Sequence, residues 1–244
     1  ATGVQVYLNQ LPSTTGSGIY TLIQGGAAST FTGYTLGTTR SGRNLYSAFG
    51  AVGNNLQVTA GAGDAGPADA FSYWKGNTSI WNTAQWYSDS TATTTALSPG
   101  YSSNVKFTTT TTPTTLTSTL GQDYEINSLT VADAALAATS ISGNMLTIDA
   151  TTDNSNPSGN GITVNNTAGT TIASKVGLGN SQTWTVGAGA TLTVSGVIGD
   201  LGAAKSITKV GAGTLALSGA NTFSGGLTIK QGEGDLNTVL APWA

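Results

Sequence analysis

Toward the end of the chain, Thr214-Leu215-Ala216-Leu217 alternates large apolar and small positions with period two. That period predicts a half-buried strand with Leu215 and Leu217 on one face. Gly213 and Gly219 bound it, and "GANTFSGG" follows, a run of residues that tolerate positive φ and turn the chain. A second alternation begins at Leu227-Thr228-Ile229-Lys230. The local reading is strand, corner, strand, with no room for a helix.

The same pattern recurs upstream. "VGAGATLTVSG" at 186–196 matches "VGAGTLALSG" at 210–219, so Leu192 to Leu215 is a step of 23 residues. Val164 to Val186, in "GITVNN" and "TWTVGAG", is a step of 22. "NSLTV" and "NMLTI" carry similar short strands further back. Repeats of this length with one or more strands each predict a solenoid, whose rungs bury their apolar faces only by stacking. The expected fold is all-β, a right-handed parallel β-helix with about 20–25 residues per rung and rungs about 4.8 Å apart. Leu192, Val194, Leu215, Leu217, Leu227 and Ile229 are expected inside, with Thr, Ser and Lys outside. Asparagines at matching corners are expected to stack in ladders. A β-sandwich is the rival architecture, since it too has short strands and glycine-rich turns.

Residues 1–70 are less regular and read as the end of a preceding solenoid block, although "GIYTLIQGG" and "NNLQVTAG" look like strands. Residues 71–104 form a tryptophan-rich junction, and residues 105–244 the β-helix rungs. "FTTTTTPTTLTST" reads as strands with outward threonines, the alternative being a flexible or O-glycosylated tract.

Composition supports the all-β reading. Charged residues make up only 8% of 244, while glycine reaches 34, so helix formers are scarce and turn formers abundant. Eight basic and eleven acidic residues are scattered singly, leaving no basic stripe for nucleic acid. No apolar run is long enough for a transmembrane helix. The chain starts at Ala1 and is expected to be a processed or internal piece of a longer exported protein.

"ITKVGAGTLALSGANTFSGGLTIKQGEGDL", residues 207–236, resembles the autotransporter-associated β-strand repeat of large bacterial passenger proteins. The matching positions are Lys209, Gly211, Gly213, Thr214, Leu215, Leu217, Ser218, Gly219, Asn221, Thr222, Phe223, Gly225 and Gly226. The segment from Tyr73 to Phe107, "YWKGNTSIWNTAQWYS" through "PGYSSNVKF", is similar to the tryptophan-rich junctions between repeat blocks in such proteins. The resemblance implies a secreted or surface-displayed bacterial β-helix with a structural, adhesive or export-assisting role. The partners expected are further copies or repeats of the same chain, stacked end to end because a solenoid's terminal rung leaves an unpaired edge, and cell-surface glycans.

Candidate chemistry is sparse. The chain has no His and no Cys, so Ser-His-Asp and Cys-His machinery and the common zinc sites are excluded. No cofactor is expected, and the chain is expected not to be an enzyme. The runner-up function is a polysaccharide-binding or polysaccharide-cleaving β-helix. Asp149 and Asp153, in "IDATTDNSNPSGNG", place two carboxylates in an Asx/Gly loop that could take a hard cation. An ordinary polar turn explains them better, because the fixed ligand spacing of calcium loops is missing. Asp123 and Glu125 read as a solvated strand edge rather than an acid pair. Tyr73, Trp74, Trp81, Trp86 and Tyr87 are candidates for stacking on sugar faces, or for plugging the solenoid where its regularity breaks; plugging is the preferred reading.

Overall fold

A computed structural model describes residues 4–6, 18–24, 34–36, 46–60, 71–96, 98–157 and 159–230. Strands β1 (Val4–Val6) and β3 (Tyr34–Leu36) pair in parallel, while β2 (Gly18–Gln24), β4 (Tyr46–Val52) and β5 (Asn55–Ala60) form an antiparallel sheet in the order β2-β5-β4. The described strands of residues 1–70 thus combine a parallel pair, Val4 with Tyr34, and an antiparallel sheet. Gly53, at φ +58°, and Asn54 join β4 to β5 as a hairpin, and so tight a loop can only return the chain antiparallel.

From residue 71 onward an antiparallel group of three strands leads into stacked parallel turns. Strands β6 (Phe71–Trp74), β7 (Trp86–Tyr87) and β8 (Thr95–Ala96) come first. Four turns of three strands each follow: β9 (Asn104–Phe107), β10 (Thr117–Thr119), β11 (Tyr124–Ile126); β12 (Ser128–Val131), β13 (Thr139–Ser142), β14 (Leu146–Ile148); β15 (Asn160–Val164), β16 (Thr170–Ile172), β17 (Val176–Leu178); and β18 (Gln182–Val186), β19 (Thr191–Val194), β20 (Ile198–Gly199). A fifth turn holds β21 (Ile207–Val210) and β22 (Thr214–Leu217), and β23 (Leu227–Ile229) opens the next. Like strands stack in parallel on three faces: β6-β9-β12-β15-β18-β21-β23, β10-β13-β16-β19-β22 and β11-β14-β17-β20. The architecture is a parallel β-solenoid of about five turns.

The sequence self-match is the structural register. Val164 faces Val186 and Leu192 faces Leu215 across adjacent turns. Two steps on this face break the period at 33 residues rather than 22 or 23: Tyr73 pairs with Lys106, with β7 and β8 between them, and Leu129 pairs with Ile162. In the Leu129–Ile162 step the surplus lies mostly at the corner between β14 and β15, where residues 149–157 loop out. Asparagines bind this loop to the turns beside it. Asn127 Nδ2 donates to Asn104 Oδ1 (3.2 Å) and to the Asp153 carbonyl (2.9 Å), and Asn104 Nδ2 donates to the Asn154 carbonyl (3.1 Å). These asparagines bond across an offset rather than stacking at matching corners, since Asn104 is in register with Ser128.

Inside, columns of side chains run along the axis. Leu129, Ile141, Ile148, Ile162, Val164, Ile172, Leu178, Trp184, Val186, Leu192, Val194, Leu215 and Leu217 belong to one continuous buried core. Two expectations about this interior fail. Ile229 is 39% exposed, while Leu227, half-buried, still packs against the core; β23 is the outermost strand of its face among the described residues. Lys209, expected outside with the other lysines, is buried. It occupies the same column as Trp184 below it and Ile229 above it.

Candidate functional site

Aromatic residues close the N-terminal end of the solenoid. On β6, Ser72 and Trp74 face inward while Phe71 and Tyr73 face outward. A short 3-10 turn at Trp81–Thr83 then drives Trp81 into the axis, and Trp86 on β7 pairs with Trp74. The three indoles pack at centroid separations of 5.1–6.2 Å, in tilted and edge-on arrangements. Phe107 stacks on Trp74 at 5.6 Å, and Tyr124 meets Trp81 edge-on at 5.3 Å. Offset and edge-on contacts of this kind let the positive edge of one ring meet the negative face of another.

Each indole N–H also finds an acceptor, as burial demands. Trp74 Nε1 donates to the Thr115 carbonyl (2.8 Å), Trp81 Nε1 to Ser118 Oγ (3.1 Å) and Trp86 Nε1 to the Trp81 carbonyl (3.0 Å). Burial pushes the Tyr124 hydroxyl up to about 12, opposed by its 2.8 Å bond to Ser98. Trp74, Trp81 and Trp86 are covered on every side and fill the end of the core; none presents a face to a sugar. Tyr87 is nearly covered, and of the five candidate aromatics Tyr73 is the most open.

At the other end, the motif residues build the fifth turn. Lys209 Nζ donates to the carbonyls of Gly211 and Gly213, so the ammonium clasps the corner between β21 and β22. Desolvation lowers its pKa. Gly211 sits at φ +83°, and a Cβ there would run into the Val186 carbonyl, so the corner admits only glycine. Leu215 and Leu217 cap the inner columns, and Phe223 is buried beside them. Asn221 Oδ1 accepts from Ile198 N (2.9 Å), and Thr222 N donates to the Ile198 carbonyl (2.8 Å), so "NTF" runs over β20 in place of a third strand. The Lys209→Met variant would leave both glycine carbonyls without their donor and is expected to lose about 1–3 kcal/mol. Urea unfolding beside the wild type measures it, and an unchanged midpoint would refute the clasp.

The acidic candidates serve the corners. Asp153 lies in the short 3-10 turn of the 149–157 loop, and its carbonyl accepts from Asn127. Asp123 Oδ1 accepts from Met145 N on the next turn (3.0 Å). No group of three or more His, Cys, Asp or Glu side chains comes together among the described residues.

Sequence reasoning overlooked Asp133 and Asp200. Asp133 accepts from the hydroxyl of Thr108 and from the amide (2.6 Å) and hydroxyl (3.0 Å) of Thr109, one turn back. Asp200 accepts from the Ser224 amide (2.8 Å) and hydroxyl (2.7 Å), one turn ahead. Both carboxyls are held below their usual pKa, chiefly by these hydroxyl bonds. A carboxylate with a depressed folded pKa stabilises the fold at pH values above its unfolded pKa. That contribution fades as the pH falls through the folded value. The melting temperature is therefore expected to hold from pH 7 to about 5 and to fall below about pH 4. A D133N/D200N variant should show a shallower fall; equal slopes would refute these clasps.

Fold and site together define a three-sided parallel β-solenoid with an aromatic plug at one end and a lysine-clasped glycine corner near the other. The family model for the passenger-associated-transport-repeat matches residues 207–233, the stretch whose motif carried the resemblance. Its described part, through Lys230, supplies β21, β22, the Asn221–Phe223 crossing and β23. Residues 231–236 of the resemblance, with Glu233 and Asp235, lie outside the described residues. No curated protein and no solved structure matches the chain. Repeat and fold fit a surface-type β-helix protein.

Proposed function

We propose that this chain is a structural, adhesive segment of a large bacterial surface or fibre-forming protein, secreted or held outside the cell. The observation that carries this reading is the passenger-associated-transport-repeat at 207–233, whose described strands continue the solenoid stack. Its inner positions are filled by one core running from Trp74 to Phe223, as a rod that bears load requires. Stacking is local, so such a rod lengthens by adding turns without redesigning its interior. Neither the aromatic plug nor the lysine clasp has the form of a reaction centre, and its role is mechanical and adhesive rather than enzymatic.

Partners on this reading are further turns or copies of the same chain, with cell-surface glycans beyond them. No helix among the described residues is long and apolar enough to cross a membrane. Protease treatment of intact producing cells, followed by immunoblotting for this segment, tests the location. Removal of the segment while a cytoplasmic marker survives is the expected result. Full protection until the cells are lysed would overturn it.

A further inference from the structure

While the tryptophans turn inward, the opposite side of the same strands carries a different set of residues. Tyr73 on β6 is in register with Lys106 on β9 and with Tyr87 on β7. These three positions form one row across neighbouring strands. With strands about 4.8 Å apart, the row spans roughly 10 Å. Phe71 lies two residues before Tyr73 on the same outward side.

Both lysines at this patch lie against rings. Lys106 Nζ sits 4.1 Å from the Phe71 ring centroid and 5.8 Å from that of Tyr73. Lys75 Nζ sits 5.2 Å from the Tyr87 centroid. Neither ammonium has a carboxylate or hydrogen-bond partner among the described residues. A ring beneath a lysine restrains its long stem and attracts its charge, while N–H donors remain free for an anion arriving from solvent. Asp89 is the acidic group that acts on Tyr73. Its oxygens are turned into their own loop, accepting from the amides of Thr91 (2.9 Å), Thr93 (3.2 Å) and Thr94.

We infer that Phe71, Tyr73, Lys75, Tyr87 and Lys106 form a binding patch for an acidic polysaccharide. Acidic groups on the sugar chain pair with the two ring-backed ammonium groups, and sugar C–H faces rest on the open parts of Phe71 and Tyr73. Charge complementarity selects an anionic polymer. Two isolated lysines on a chain of net charge −3 are too few for nucleic acid, which is held by many phosphate contacts. This inference rests on the adhesive part of the role proposed above and names the glycan class; its failure would leave the structural part intact.

Affinity electrophoresis of the full chain tests it, in native gels containing polygalacturonate (carboxylate), dextran sulfate (sulfate) or dextran (neutral). Retardation by one or both acidic polymers but not by dextran is expected, weakening with added salt; the two acidic gels distinguish carboxylate from sulfate as the group recognised. The K75Q/K106Q variant should bind at least about tenfold more weakly, with an unchanged far-ultraviolet circular dichroism melt showing that it folds. K106R should keep most of the affinity. Equal mobility of the wild type in all three gels, equal retardation of the double variant, or stronger binding to single-stranded DNA would each overturn the inference.

Discussion

Replacing Trp81 by Ala is expected to cost about 3–5 kcal/mol, the range for deleting a large buried aromatic. In a domain of this size that lowers the melting temperature by roughly 6–20 °C. Trp81 is fully buried and touches Trp74, Trp86, Phe107 and Tyr124. Truncation opens a cavity at the end of the core and leaves Ser118 without the indole donor. A Trp81→Phe variant, which keeps most of the volume but not the N–H, should lose distinctly less. Denaturant unfolding followed by fluorescence of the remaining tryptophans measures both. A loss under about 1 kcal/mol for Trp81→Ala would mean that the ring lies at the surface, and the plug would be disproved.

The second large effect is a contrast between two apolar residues of the same repeat. Leu215→Ala is expected to cost about 2–5 kcal/mol, because Leu215 is buried in register with Leu192. Ile229→Ala should cost under about 1 kcal/mol, since Ile229 is 39% exposed on an outermost strand and exposed substitutions change little. Urea midpoints of the two variants give the comparison directly. Similar losses at both positions would show that the solenoid core extends over Ile229.

Much of this architecture can be read from the alternation of residues. The self-match at steps of 22 and 23 is the register of β15 on β18 and β19 on β22, because a parallel stack aligns equivalent residues turn on turn. Where a corner loops out, as at residues 149–157, the step grows and the self-match fades although the stacking continues. "NSLTV" and "NMLTI" look alike yet belong to different faces, β12 and β14; two strands of similar composition carry no mark of which face they join.

Lys209 is the instructive case at the site. In "ITKV" it shares the parity of Ile207, which is buried, so period two already placed it inside. Charge argued for the opposite face, and the deciding contacts are carbonyls of Gly211 and Gly213. Those acceptors exist only once the corner has formed. The aromatic segment was legible as a group, but its division was not. Trp74 and Tyr73 are adjacent and therefore point to opposite sides, one into the plug and one toward Lys106. Asp133 and Asp200 left no sequence signal, because their partners lie a full turn away.

The stacking of equivalent residues on adjacent turns is tested most directly by cysteine pairs joined with a short bis-thiosulfonate linker, in a chain that has no cysteine of its own. Thr193 and Ala216 are register partners on one outer face, as are Thr171 and Thr193. Thr130 lies on a different face. The variants Thr193→Cys/Ala216→Cys and Thr171→Cys/Thr193→Cys should cross-link rapidly within one molecule, while Thr193→Cys/Thr130→Cys should not, as peptide mapping after digestion would show. Linkage of the third pair, with the first two unlinked, would contradict the stacked solenoid.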